Sequence, residues 1–349
     1  MTEPLATIVV VPRERFSVAR RSLAAILDNT AGPYRLVYVD GGSPAPLARE
    51  LRREARRHGF ELVRSDRYLT PNGARNLGLE RVTTRYAVFI DNDVVPAAGW
   101  LENLVRCAEE TGAWVVGPLY FIGEPGREEI HMAGGDARIE EDATGRRFVE
   151  AHRHVGKHPA EIREHLVRGR CEQVEFHCML VRTDVVGPGR ALGPLDERLS
   201  SIAEHTDLCL TVAARGGQVW FEPGAVVTYI TSGGLRWYDY PYFLLRWSEG
   251  WTASSLAHFR AKWRLPEDDR ATLTLLGFVR EHRHFIALKP VLEALVRVFD
   301  RPVGAWLGAR VAGHETRANR WFLPAGHQPR AAPMTTHPSP TARAARSWR

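Results

Sequence analysis

The sequence has very little lysine, and its main body carries no large excess of positive charge. Only three of its 349 residues are lysine, so arginine carries nearly all of the positive charge. Four arginines and no acidic residue follow Trp321, and they account for most of the net charge of +6. The remainder is close to neutral, which argues against a nucleic-acid-binding face.

Cysteine and long apolar runs are also scarce. The four cysteines match no zinc-binding spacing and suggest no disulfide framework, so we expect free thiols. No stretch reaches the roughly 18 apolar residues that a membrane span requires. The first residues lack a basic segment followed by an apolar one, and we therefore predict a cytoplasmic location.

Short apolar runs alternate with helical patterns over the first ninety residues. Strands are predicted at 7–11, 36–39, 60–63 and 86–90, with a helix after each of the first three. Such alternation is typical of a parallel sheet covered by helices on both faces. In sheets of this kind, ligands bind where the carboxyl ends of the strands open into loops.

Periodicity fades at 123–170, which we interpret as a long irregular excursion. Its segment 131–136 is interpreted as either a mobile lid or a plain surface loop. Four histidines clustered at 152–165 match no zinc spacing, so we predict no zinc site from them. They are His152, His154, His158 and His165.

We predict three regions along the chain. Residues 1–231 form an α/β domain, residues 232–322 a helical and aromatic-rich region, and residues 323–349 a disordered tail. Within the second region, a helix is expected at 242–262, with others near 270–280 and 290–299.

The sharpest motif is Asp91-Asn92-Asp93, directly after the predicted strand at 86–90. Two carboxylates two residues apart can reach one hard divalent cation and the diphosphate that it bridges. A polar turn closing a strand would explain an isolated motif of this kind. Here two further segments accompany it.

The first is Asp40-Gly41-Gly42-Ser43, at the end of an earlier strand. Asp40 can hydrogen-bond a nucleobase there, while the glycines let the backbone approach closely. The second is Glu204-His205-Thr206-Asp207, which places two acids and an imidazole at the start of a helix. Helix capping alone would also explain Glu204 and Asp207.

The order of these motifs resembles the family 2 glycosyltransferases of GT-A fold, over about residues 6–229. The shared pattern is a first strand ending in proline, a Val-Asp-x-Gly-Ser turn, an Asn-containing helix start, Asp-x-Asp, and a later acidic helix start. In this chain the first four correspond to Pro12, Val39-Asp40-Gly41-Gly42-Ser43, Asn72-Gly73-Ala74-Arg75-Asn76, and Asp91-Asn92-Asp93. The resemblance implies a Rossmann-like, mostly parallel sheet flanked by helices, with a helical C-terminal extension.

The resemblance also implies an activity and its site. The chain would move a hexosyl or deoxyhexosyl group from a UDP, GDP or dTDP sugar to an acceptor. Asp91 and Asp93 would hold Mn²⁺ or Mg²⁺ on the diphosphate. The nucleotide-sugar contacts would come from Pro12, Arg13, Asp40, Gly42, Ser43, Asn72, Arg75 and Asn92.

Two positions depart from the family pattern. His205 stands where the family has the carboxylate that deprotonates the acceptor, and an imidazole is well suited to that task near neutral pH. We therefore expect His205 to be the base, with Glu204 and Asp207 positioning it or the acceptor. Tyr229 stands where many relatives have a metal-binding histidine, which predicts a metal that binds weakly or is dispensable.

Only the aromatic C-terminal region hints at the acceptor. Trp247 and Trp251 belong to a helically spaced stripe that suits either core packing or a wall against a small-molecule, glycan or lipid-linked acceptor. His131 is a further candidate for this wall. A rim resting peripherally on a membrane is the other interpretation.

Three alternatives remain open at this point. A base on the far side of the sugar from the diphosphate favours inversion, but retention is the other outcome. A sugar-phosphate nucleotidyltransferase would carry a glycine-rich loop after the first strand, and residues 12–16 contain no glycine. The replacements His205 and Tyr229 also suit a non-catalytic relative that binds a nucleotide or a partner.

Overall fold

The computed structural model describes residues 3–143, 145–299, 301–322 and 335–337. The strands are β1 (Ala6–Val11), β2 (Arg35–Gly41), β3 (Glu61–Ser65), β4 (Tyr86–Asp91), β5 (Val94–Pro96), β6 (Val115–Ile122), β7 (Ile130–Met132), β8 (Gly135–Asp142), β9 (Gly145–His152), β10 (Gly169–Cys171), β11 (Cys178–Arg182), β12 (Val219–Tyr229) and β13 (Thr335–His337). The α-helices are α1 (Ala19–Asn29), α2 (Ala45–His58), α3 (Pro71–Leu79), α4 (Trp100–Thr111), α5 (Glu204–Ala214), α6 (Tyr240–Arg246), α7 (Glu249–Trp263), α8 (Arg270–Arg283), α9 (Lys289–Val298) and α10 (Arg301–Phe322). Short helical turns cover Pro159–Glu161, Arg163–His165 and His284–Leu288.

One mixed sheet forms the centre of the molecule. Its order is β10-β12-β6-β11-β4-β1-β2-β3-β13, with β5 on β12 and β7 on β6. Strands β3, β2, β1 and β4 are parallel, whereas β11 is antiparallel to both β4 and β6. The predicted α/β class and the βαβ order of the first four strands are confirmed.

The parallel strands are apolar because helices cover both faces of the sheet. All six residues of β1 are buried. Helix α3 packs on β1 at Gly78, where an added Cβ would lie 2.2 Å from Val9 Cγ1. A glycine is therefore required for this close approach. The four cysteines are free thiols, as expected, and three of them are buried.

The interpretation of 123–170 as an irregular excursion is wrong. The segment contains β7, the β8–β9 hairpin, two helical turns and β10. The lid and surface-loop interpretations of 131–136 fail with it, because β7 pairs with β6 and Met132 is fully buried. The hairpin buries few apolar residues, among them Phe148 against Phe259, so charged residues on its exposed face obscured the alternation.

The prediction of a single helix at 242–262 is also wrong, because this segment is divided between α6 and α7. Ser248 has an extended backbone between them, and its side chain accepts a hydrogen bond from Trp251 N at 3.2 Å. Such a cap starts a new helix. As a result, Trp247 and Trp251 do not share one helical face. Helices near 270–280 and 290–299 are present as α8 and α9, and α10 was not predicted.

The helical region packs against the sheet domain. The Asp239 carboxylate accepts hydrogen bonds from Phe16 N and Ser17 N at 2.8 and 3.0 Å. These bonds hold the loop between β1 and α1 against the helical region. The predicted domain boundary between residues 231 and 232 stays a prediction. Of the predicted disordered tail, only Thr335–His337 is described, as a strand antiparallel to β3, and the rest lies outside the described residues. Among the described helices, none has the length and hydropathy to cross a bilayer.

Candidate active site

Asn92 ties together the loops that follow β1 and β4. Its backbone N–H donates to Val11 O at 2.9 Å, and its side-chain Oδ1 accepts from Arg13 N at 3.0 Å. Because β1 and β4 are parallel neighbours, both loops leave the same edge of the sheet. Pro12-Arg13 and Asp91-Asn92-Asp93 are far apart in the sequence, but together they form one wall at this edge of the sheet.

Asp91 is a buried carboxylate surrounded by nitrogen-bearing side chains. Arg75 Nη2 lies 3.3 Å from its Oδ1, while Arg13 Nε and His177 Nδ1 lie 3.6 and 3.2 Å from its Oδ2. Burial alone would raise the pKa of Asp91, but His177, Arg75 and Arg13 hold it below its usual value. Arg75 is itself fully buried, and its guanidinium carbon lies 3.8 Å from the centre of the Phe176 ring.

Asp93 has the opposite environment. Its two carboxylate oxygens are buried and have no hydrogen-bond partner among the described residues. Burial, followed by the carboxylates of Glu14 and Asp91, raises the pKa of Asp93 well above its usual value. Burying an ionised carboxylate without a partner costs folding free energy, and a bound cation would offset that cost.

The donor atoms around Asp93 fit a divalent cation. One ligand atom each from Asp91, Asp93 and His177 lies within 4.8 Å of the other two. Two carboxylates and an imidazole suit a metal such as Mn²⁺. The unpartnered oxygens of Asp93 are the observation that supports this fit.

Sequence reasoning missed His177. This residue directly precedes β11, whose Cys178 pairs with Ile90 of β4, and the antiparallel register brings the imidazole beside Asp91. The ring of His177 also stacks on Tyr229, the position where a family histidine is missing. Its signal in the sequence is only a histidine at the start of an apolar strand, since the neighbouring strand could not be identified.

Glu14 was also missed, although it joins three parts of the chain. Its carboxylate accepts from Tyr229 Oη and Trp247 Nε1, each at 2.7 Å, and His282 Nε2 lies 3.6 Å away. Burial would raise the pKa of Glu14, but His282, Arg13 and Arg15 hold it well below its usual value. Burial also raises the pKa of Tyr229 well above its usual value, so its phenol remains a hydrogen-bond donor.

The turn at 40–43 has the compact shape expected of it. Asp40 accepts from Ser43 N and Ser43 Oγ at 3.0 and 2.9 Å, and it pairs with Arg64, a partner that was not predicted. Gly42 has φ 77°, in the left-handed region that favours glycine. The carboxylate expected to face a nucleobase is therefore held by neighbouring groups of the protein.

Asn72 lies in the first turn of α3. Its amide donates to Asp196 O at 2.9 Å, and its carbonyl oxygen accepts from Arg75 Nη1 at 3.2 Å. These contacts brace the segment that leads to α5. The nucleotide contact expected of Asn72 stays a prediction.

A cavity of about 540 Å³ lies beside His177. It is enclosed by the loop after β1, by β7 and β9, and by helices from the C-terminal region. Five predicted site residues line it, namely Arg13, His131, Glu204, His205 and Trp247. Asp207 and Trp251 are not among the described residues of its lining.

The first residues of α5 present Glu204 and His205 to this cavity. They follow Ala203, whose φ of 69° is unusual for a residue other than glycine and costs about 1 kcal/mol. Glu204 Oε1 accepts from Arg246 Nη2 at 2.9 Å, which neutralises the acid. Asp207 points elsewhere and accepts from Lys262 Nζ and Trp263 Nε1 at 2.6 and 2.9 Å.

His205 lines the cavity. Its Nε2 has no hydrogen-bond partner among the described residues and lies 3.8 Å from Glu150 Oε1. Burial would lower the pKa of His205, but Glu150, Glu175 and Glu204 raise it above its usual value. Glu150 was not predicted, because it lies on the hairpin that the sequence did not reveal.

Comparisons with known proteins agree with the fold. Residues 7–166 match the family model for Glycosyl transferase family 2. Pre-mycofactocin glycosyltransferase of Mycobacterium tuberculosis (strain ATCC 25618 / H37Rv) is 26% identical over 230 residues, which cover 66% of this chain and 43% of the relative. Succinoglycan biosynthesis protein ExoW of Rhizobium meliloti (strain 1021) is 27% identical over 149 residues, covering 41% and 45%. This chain therefore matches less than half the length of these relatives.

A solved structure shares the architecture. It is the crystal structure of GalNAc-T7 with UDP, GalNAc and Mn²⁺, with a TM-score of 0.50 and 18% identity, covering 81% of this chain and 54% of that one. Residues 7–166 therefore resemble the family 2 glycosyltransferases, and the fold of the chain resembles that of a solved GT-A glycosyltransferase. The relatives that match it in sequence include proteins named as glycosyltransferases.

Proposed function

We propose that this chain transfers a hexosyl or deoxyhexosyl group from a nucleoside-diphosphate sugar to an acceptor hydroxyl. The observation that carries the proposal is the unpartnered, buried carboxylate of Asp93 at the ligand-binding edge of the sheet. A divalent cation held by Asp91, Asp93 and His177 would neutralise the departing diphosphate when bound. UDP, GDP and dTDP are the donor classes to be distinguished.

Two side chains, Arg13 and Trp247, support a role for this wall in binding the donor. Arg13 lines the cavity and brings a fixed positive charge next to Asp91. Its guanidinium carbon lies 5.3 Å from the centre of the Trp247 ring. Arg13 is thus placed to contact the diphosphate, and Trp247 to pack against the sugar or the acceptor.

His205 is the proposed base. Glu204 is paired with Arg246, and Asp207 with Lys262, so neither carboxylate is free to accept a proton. His205 Nε2 is unpartnered in the described structure and belongs to the cavity lining. An imidazole there would take the proton from the acceptor hydroxyl, while Glu150 favours the imidazolium that results. A single base of this kind favours inversion at the anomeric carbon.

The acceptor belongs to a class with both polar and apolar surface. The cavity combines the imidazoles of His131 and His205 with the apolar side chains of Trp247, Phe278 and Phe285. A small molecule, a glycan or a lipid-linked sugar would each meet this requirement. The relative from Mycobacterium tuberculosis is named as a pre-mycofactocin glycosyltransferase, so pre-mycofactocin is one candidate to include in a screen of acceptors.

Peripheral membrane contact is retained within this proposal. Apolar side chains are exposed along α9 and α10, including Val298 and Trp306. Co-sedimentation with anionic vesicles tests it, and the contact is rejected if the protein stays in the supernatant. The cytoplasmic location stays a prediction.

A nucleotide panel tests the donor site. Unfolding temperature is measured with UDP, GDP and dTDP, with and without Mn²⁺, for the wild type and for Asp93→Asn. We expect one nucleotide to stabilise the wild type in a metal-dependent manner, and the variant to lose this effect. No stabilisation by any nucleotide would favour a non-catalytic relative, and nucleotidyl transfer to a sugar phosphate would overturn glycosyl transfer.

A further inference from the structure

A second group of potential metal ligands, separate from Asp91, Asp93 and His177, lies in the cavity wall. His131 projects from β7, His152 ends β9, and Glu175 lies in the segment before β11. His131 Nε2 is 2.9 Å from Glu175 Oε2, and His152 Nε2 is 3.7 Å from Glu175 Oε1. All three belong to the lining of the cavity.

The spacing of these atoms matches a shared metal ion. One ligand atom from each residue lies within 4.8 Å of the other two. Bonds of about 2.0–2.1 Å at octahedral or tetrahedral angles put neighbouring ligand atoms about 2.8–3.4 Å apart. His131 Nε2 lies within that range of Glu175 Oε2, and His152 Nε2, at 3.7 Å from Glu175 Oε1, lies slightly beyond it.

Glu175 supplies an independent observation. Its side chain is nine-tenths buried, and Oε2 has no hydrogen bond of acceptable geometry within the described residues, despite the nearby His131 nitrogen. The backbone of Glu175 is fixed, because its N–H donates to Tyr120 Oη and its carbonyl accepts from the same hydroxyl, at 3.1 and 2.9 Å. A rigid, buried carboxylate with an unpartnered oxygen, close to the imidazoles of His131, His152 and His177, is suited to binding a cation.

We propose that His131, His152 and Glu175 form a second metal site, which takes a borderline divalent ion such as Zn²⁺ or Co²⁺. Two imidazoles and one carboxylate are a donor set for these ions, whereas Mn²⁺ and Mg²⁺ prefer sites richer in oxygen. Three protein ligands leave at least one coordination position open. That position faces the cavity, where water or an oxygen of a bound molecule would fill it.

His177 separates the two sites. Its Nδ1 is 3.2 Å from Asp91 Oδ2, and its Nε2 is 3.8 Å from Glu175 Oε2. One imidazole therefore has a nitrogen directed toward each group of ligands. The second site does not depend on the proposed transfer reaction, and it is testable without a nucleotide.

The test uses the full chain, stripped of metal with a chelator and titrated with Co²⁺ alone. Visible d–d absorption reports a Co²⁺ ion in a nitrogen-containing site of low coordination number. We expect the band in the wild type and in Asp93→Asn, which removes the acidic site. In His131→Ala/His152→Ala, the Co²⁺ affinity should fall by roughly 100-fold or more.

His154→Ala/His165→Ala is the matched control. These two imidazoles stack at 5.3 Å in the same part of the chain but away from Glu175, so their loss should leave the band unchanged. Glu175→Gln and the single variant His152→Gln provide further tests if the double variant does not fold. The proposal is overturned if the wild type gives no band, or if every folded ligand variant binds Co²⁺ as the wild type does.

Discussion

The imidazole of His177 stacks on the phenol of Tyr229, with the ring centroids 4.1 Å apart and the planes at 26°. One of these rings lies beside Asp91, and the other donates a hydrogen bond to Glu14. The chain thus has an imidazole next to the position from which the family histidine is absent. The predicted weakening of metal binding by Tyr229 should therefore be smaller than the sequence alone suggests.

Metal affinity tests this relationship directly. We expect His177→Ala to weaken Mn²⁺ binding by about tenfold or more, because a ligand is lost. Tyr229→Phe keeps the stacked ring and removes only the hydroxyl, so the Mn²⁺ affinity should stay close to that of the wild type. Titration followed by electron paramagnetic resonance measures both, and a larger effect of Tyr229→Phe would contradict the assignment.

The two aspartates should respond oppositely when they are replaced. Asp93→Asn removes an unpartnered buried charge, so the metal-free protein should be at least as stable as the wild type. Asp91→Asn leaves Arg75 without its carboxylate and should lower the free energy of unfolding by about 3–5 kcal/mol. Urea denaturation in the presence of a chelator measures both values. Equal destabilisation by the two changes would refute the difference in environment.

The base can be identified from the dependence of turnover on pH. His205→Gln should lower kcat by about 10²–10⁴-fold, whereas Asp207→Asn should have a smaller effect on kcat. Because the base must be unprotonated, the rate should rise with pH through the pKa of His205. Burial lowers that pKa and Glu150 raises it, so Glu150→Gln should move the rise to lower pH. An unchanged profile in Glu150→Gln would show that His205 is not the titrating base.

Glu14 should make the fold sensitive to acid. Its pKa is lower in the folded than in the unfolded chain, so its contribution is present above about pH 4.3 and is lost as the pH falls below that value. Between pH 6 and pH 3, the wild type should therefore lose about 2 kcal/mol more stability than Glu14→Gln. Denaturation curves at several pH values provide the measurement. Parallel losses in the two proteins would exclude this role.

The parts of the fold set by local pattern were predictable. Buried apolar runs marked β1 and β4, and the polar motif at the end of β4 placed Asp91 and Asp93 at the carboxyl ends of the parallel strands. The hairpin β8–β9 was not predicted, because its exposed charges outnumber its buried apolar residues. Ser248 carried an N-cap signal, but the aromatic spacing across it favoured an unbroken helix.

Contacts between distant segments could not be read from the sequence. Glu14 and Trp247 are 233 positions apart, and their hydrogen bond depends on how α6 lies over the loop after β1. His177 reaches Asp91 only through the antiparallel pairing of β11 with β4. Glu150 reaches His205 only through the hairpin. In each case the partner is determined by topology, which no local periodicity reveals.

The hydrogen bond from Trp247 to Glu14 limits how such chains can be recombined. A chimera that takes its helical region from a relative would place a foreign side chain over Glu14, while Asp239 would no longer cap the segment after β1. Exchange of residues 12–17 together with the helices would keep both contacts matched. Residues 12–17 and the helical region should therefore be exchanged together, because a swap of one segment alone would break both hydrogen bonds and should yield poorly folded protein.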